Sequence, residues 1–144
     1  PDLLKDTFNL ISSNKKIDVV YTDYWILRKD GTRIRKKHFE VKDPKEAYKE
    51  MLKRQYIAHG GSLWKKDSLP DHDETVWGAE DLELFLTAME NGVRFKHLAK
   101  RLWTYRTIGQ PRMSDDVRMA EQCDVVLRKR GYTFDSKNRM GVKI

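Results

Sequence analysis

"IDVVYTDYWILRKDGTRIRKK", residues 17–37, decides the fold. Its first half is rich in β-branched and aromatic side chains, which suit a pleated strand. Ile17 to Tyr21 is nearly all apolar, the pattern of a strand buried on both faces. Asp30-Gly31 is a strong hairpin signal, because a tight turn between strands needs residues that tolerate positive φ. The returning arm, 33–37, is basic, and cations at a sheet edge discourage pairing between molecules.

Upstream, "PDLLKDTFNLISSN" (1–14) opens with a proline and an acid, a good first helical turn. Leu4, Phe8 and Ile11 fall on one helical face, which predicts a helix that buries them. Downstream, "DPKEAYKEMLKRQYI" (43–57) starts as a helix should, with Asp43 as cap, Pro44 at the first position and Glu46 three after the cap. Tyr48, Met51, Leu52 and Gln55 share its face. Residues 58–70 carry a flexible Gly60-Gly61 and a short strand, and 71–77 form an acidic loop. From Ala79 the spacing of Leu82, Phe85, Leu86 and Met89 is helical, and Asn91-Gly92 stops it. Residues 93–106 predict one or two strands and 107–113 a loop. Ser114 caps a last helix, with Asp115 and Asp116 in its first turn and Lys129, Arg130 and Gly131 at its end. The tail from Tyr132 is expected to be a loose strand or coil. Helices and strands alternate around an intruding hairpin, so the fold class is α/β with a mixed sheet flanked by helices. No repeat or linker divides residues 1–144, which are expected to form a single domain.

The chain has 144 residues and a net charge of +7, a surplus that favours anionic partners. No apolar run is long enough to span a bilayer, and no charged-then-apolar leader is visible. The single Cys123 excludes an internal disulfide and fits a reducing compartment. His38, His59, His72 and His97 show no metal-binding spacing, so no metal ligand is assigned.

"WGAEDLELF" (77–85) carries the candidate chemistry in two adjacent acids, Glu80 and Asp81. Acids in a helix's first turn meet unpaired N–H groups and the positive end of the dipole, which explains them as caps. A carboxylate on a rigid helix terminus is equally well placed to take a proton. Trp77, beside Gly78 in a loop, offers an aromatic face for stacking. Trp64 is expected in the core, and His97 is expected to be structural.

"HGGSLWKK", "WGAEDLELFLTAMENG" and "LWTYR", in that order and spacing, make the chain resemble the inverting glycosyltransferases of family 2, which have the GT-A (Rossmann-like) fold. The likeness runs from residue 1 to about residue 113. It implies transfer of a sugar from a nucleotide-sugar donor to an acceptor hydroxyl with inversion. Asp81 would be the base, with Glu80 beside it. His59, Gly60, Gly61 and Trp77 would bind a saccharide or lipid-linked acceptor. Arg106 and Arg112 would contact the donor diphosphate, since a planar guanidinium grips phosphate through two bonds. The resemblance also implies Mg²⁺ or Mn²⁺, with ligands mostly outside this chain. Many relatives carry a histidine two residues after the Tyr-Arg, where this sequence has Ile108. In that family a helix like the one over residues 1–13 follows the aspartate motif that holds the metal and the donor diphosphate, so the chain is expected to be the C-terminal, acceptor-side half of such an enzyme. The expected setting is cytoplasmic, at the membrane periphery, with self-association through an uncovered edge. Two rivals remain: a non-catalytic interaction domain, and a nucleic-acid-binding module, for which no known motif is present.

Overall fold

A computed structural model describes residues 2–107 and 117–144. The chain forms two compact units, each assembled from three separate segments. Together they contain α-helices, a mixed sheet and a small hairpin.

The first unit comprises residues 1–40, 57–69 and 93–110. Strand β1 (Val19–Leu27) is its centre. The C-terminal half of β1 pairs antiparallel with β2 (Arg33–Lys36). Its N-terminal half pairs antiparallel with β3 (Ser62–Trp64). The parallel strand β4 (Phe95–Arg106) also pairs with β1, with register shifts around Asp23. The sheet is therefore mixed, and residues 93–106 form one strand. Val19, Val20 and Tyr21 are buried, as their apolar run requires. At the hairpin, Gly31 has φ +81° and the Asp30 carboxylate accepts from the N–H and hydroxyl of Thr32.

Helix α1 (Asp2–Ser13) packs on this sheet. Its buried face differs from the expected one. Thr7 and Ile11 are buried, whereas Leu4 and Phe8 are 69% and 61% exposed. Ile11, Ile17 and Val20 form the core with Leu10, Leu63 and Leu98. The Thr7 hydroxyl turns back to the Leu3 carbonyl, so a polar residue can occupy the buried stripe at no unsatisfied cost.

The second unit comprises residues 41–56, 70–92 and 111–144. Helix α2 (Pro44–Lys53) begins as the sequence predicts, with the Asp43 carboxylate accepting the Glu46 N–H at 2.9 Å. It ends at Lys53, so Gln55 lies beyond it, and Ala47, Met51 and Leu52 form its buried face. Helix α3 (Glu80–Glu90) buries Leu82, Leu84, Phe85, Leu86 and Ala88. It stops at Asn91 and Gly92, where Gly92 has φ +75° and donates to the Met89 carbonyl. Helix α4 (Val117–Arg128) buries Cys123, Val126 and Leu127. The expected cap, Ser114 with Asp115 and Asp116, lies outside the described residues.

The tail is not loose. Residues Tyr132–Asp135 and Met140–Lys143 form an antiparallel hairpin, β5–β6, that packs on α4 and α2. Gly141 makes this possible: a Cβ there would stand 1.9 Å from the Leu52 carbonyl oxygen. The Asp124 carboxylate anchors the hairpin by accepting from the Thr133 hydroxyl and the Phe134 N–H.

Candidate functional site

The residues singled out by sequence fall in both units. His59, Gly60, Gly61 and Arg106 belong to the first, and Trp77, Glu80 and Asp81 to the second. Arg112 lies outside the described residues.

In the first unit, His59–Gly61 form a single 3-10 turn that leads into β3. The glycine pair lies in this turn, and the Trp103 indole lies against it. A Cβ at Gly61 would meet Trp103 Nε1 at 2.0 Å, and one at Gly60 would meet the ring at 3.4 Å. Tyr24 stacks on Trp103, with ring centroids 4.6 Å apart. The immediate role of Gly61 is therefore to admit an indole. Gly61→Ala is expected to lower stability by about 1–3 kcal/mol, because a side chain must be forced into a filled space. Gly60→Ala, at ordinary contact distance, should change it by less than about 1 kcal/mol. Urea midpoints of the two variants check this, and an unchanged midpoint for Gly61→Ala would contradict the packing.

Next to this group lies a pairing that sequence reasoning missed. Asp23 is 2% exposed and its Oδ1 is 2.8 Å from His97 Nε2. The same oxygen accepts the His38 backbone N–H. Tyr21 stacks on His97 at 5.1 Å and donates from its hydroxyl to the Phe39 carbonyl. His97 is thus held between Asp23 and Tyr21. No local spacing announces the pair, since its members are 74 residues apart in sequence. Strand pairing of β1 with β4 brings them together. Trp64 donates from its indole to Ser62 Oγ and meets Phe95 edge-on, and it is only partly buried.

Arg106 ends β4, exposed, in register with Leu27. Among the described residues it has no carboxylate partner.

In the second unit, Gly78 adopts φ +77° and turns the chain into α3. Ala79 occupies the cap position, so no side chain there receives the first N–H groups. Glu80 and Asp81 are the first two residues of the helix, and both are partly buried. Glu80 Oε2 is buried and accepts no hydrogen bond among the described residues. A carboxylate that served only as a cap would have its buried oxygen satisfied, because desolvation without a partner costs about 1–3 kcal/mol or more. Trp77 is 46% exposed, and the Arg118 guanidinium lies 4.7 Å from its ring centroid. The chemistry available here is that of two carboxylates at the positive end of a helix, one with a buried oxygen to which no described residue donates. A hydroxyl-bearing ligand would supply a donor.

Among the described residues no group of three His, Cys, Asp or Glu could hold a metal ion. No helix of the described residues is long and apolar enough to cross a membrane. Compared with protein-family models and with curated proteins, the chain matches none.

Proposed function

We propose that this chain supplies the acceptor site and catalytic base of an inverting glycosyltransferase with the GT-A fold of family 2. The donor is a nucleotide sugar and the acceptor a saccharide or lipid-linked hydroxyl. Asp81 takes the acceptor proton as the oxygen attacks the anomeric carbon, which breaks the bond to the departing nucleotide diphosphate. No covalent enzyme intermediate is needed for inversion. The observation that carries this reading is the unpartnered, buried Glu80 Oε2 beside Asp81. Glu80 accepts one acceptor hydroxyl, which places the reacting hydroxyl at Asp81. The parallel and antiparallel pairing around β1 agrees with such a fold at the level of α/β architecture.

Mg²⁺ or Mn²⁺ would neutralise the same leaving group. The described residues offer no set of ligands for it, so its ligands are not assigned to them and no step is routed through it.

The test offers a panel of nucleotide sugars, with saccharide and lipid-linked acceptors, to the polypeptide encoded by the open reading frame that contains these residues. Donor consumption and a product whose anomeric configuration is inverted, read by NMR, are expected. Product of retained configuration, or no turnover of any donor, would overturn the proposal.

A further inference from the structure

We infer that the end of the sheet formed by the β1–β2 hairpin and the close of β4 is a docking surface for an anionic lipid bilayer. The inference goes beyond the transfer reaction proposed above and does not depend on it. Residues 28–37 carry six cations, Arg28, Lys29, Arg33, Arg35, Lys36 and Lys37, against the single Asp30. Asp30 is occupied by Thr32. Arg101 and Arg106 lie beside them on β4. These eight cations and one acid amount to +7, the whole net charge of the chain. The rest of the sequence is balanced, so this corner alone accounts for the surplus.

Register places the groups. Arg35, Trp25 and Thr104 form one row across the three strands, and Arg33, Leu27 and Arg106 form the next on the same face. The Arg35 and Arg101 guanidiniums lie 5.7 and 5.3 Å from the Trp25 ring centroid. Stacking on a ring uses the guanidinium face and leaves its in-plane N–H groups to point at anions. None of Arg33, Arg35, Arg101 and Arg106 has a carboxylate partner among the described residues. The opposite face carries the row Ile34, Ile26 and Tyr105, with the two isoleucines only partly covered and Tyr105 39% exposed.

That pairing of faces chooses the partner. A single-stranded nucleic acid is held in a charged groove with free aromatic faces for its bases. Here the Trp25 ring is covered by guanidiniums, and partly covered aliphatic side chains lie on the other face of the same sheet end. At a bilayer surface, aliphatic and aromatic groups enter the boundary below the headgroups while Arg and Lys remain at phosphate level. Each cation near an anionic leaflet adds attraction that salt weakens.

The full 144-residue chain is sedimented with vesicles of phosphatidylcholine alone, and with vesicles containing about a third phosphatidylserine. Binding to the second and not the first is expected, with loss in high salt. Arg33→Glu/Arg35→Glu should weaken partition at least tenfold. Arg28→Glu/Lys29→Glu, confined to the exposed turn, should do the same without touching a strand. Lys5→Glu/Lys66→Glu makes the same change in net charge on exposed positions elsewhere and should weaken it less than threefold. No binding to anionic vesicles overturns the inference, as does an equal loss in the control pair. A labelled single-stranded oligonucleotide that binds more tightly than the vesicles, and is released by the hairpin variants, would replace the bilayer with nucleic acid.

Discussion

Asp81→Asn is expected to lower kcat by about 10²–10⁴-fold, the contribution of one positioned general base. The fold should survive. Asp81 lies in the first turn of α3, and its amide replacement is isosteric. The change removes a charge from the positive end of the helix, which costs about 0.3–1 kcal/mol. The apolar face of Leu82, Phe85 and Leu86, which holds the helix, is untouched. KM should therefore change little while kcat collapses, the signature of an interaction made only in the transition state. Glu80→Gln separates the two acids. Its neutral amide keeps the shape but weakens acceptance from a bound hydroxyl, so the expected loss appears in KM for the acceptor. The measurement is steady-state kinetics of both variants, with unfolding curves alongside. If Asp81→Asn keeps more than a tenth of the activity and Glu80→Gln is inactive, the base is Glu80. If both keep it, the pair serves the helix and not the reaction.

Much of the fold could be read locally because local rules governed it. Asp43-Pro44 with Glu46, Asp30-Gly31 and Asn91-Gly92 each satisfy their own backbone groups within a few residues, so their outcome follows from sequence order. The buried face of α1 could not be read this way. Leu4 and Phe8 have the right spacing, but the surface available on the sheet was filled by Thr7 and Ile11. The order at the tail depends on Gly141 fitting under Leu52, a contact 89 residues distant in sequence. The same holds for the candidate site. Glu80 and Asp81 were visible as acids opening a helix, yet the burial of Glu80 Oε2 without a partner among the described residues is a property of packing. Asp23 and His97 carry no motif at all, and only strand pairing makes them neighbours.

Arg130→Met is expected to lower stability by about 3–5 kcal/mol, because it strands a carboxylate that has been taken from water. The sequence shows Arg130 only as a cation near a helix end. In the structure its side chain is 8% exposed and its fork is shared by two acids. Nη1 donates to Glu83 Oε2 at 2.7 Å, and Nε donates to Glu90 Oε1 at the same distance. It also donates to the Val126 carbonyl near the end of α4 and to the Thr87 hydroxyl. Glu83 is 12% exposed, so without Arg130 its charge has little access to solvent. Lys129 reaches Glu83 at 3.4 Å and softens the loss, which places the expected value toward the lower end of the range. Arg130→Lys keeps the charge but lacks the planar fork, and should lie between the two proteins. Acid provides the independent check. Burial raises the pKa of Glu90, but its bonds to Arg130 and Tyr48 outweigh this and hold it below the usual carboxylate range. A depressed folded-state pKa contributes stability above the unfolded value of 4.5 and loses it as the pH falls below that. The penalty of Arg130→Met should therefore be full at pH 7 and shrink as the pH is taken down through 4. Urea midpoints at both pH values, with unchanged slopes, measure it. A penalty below about 1 kcal/mol at pH 7 would mean that Glu83 finds water or Lys129 instead, and that α3 and α4 are held by their apolar faces alone.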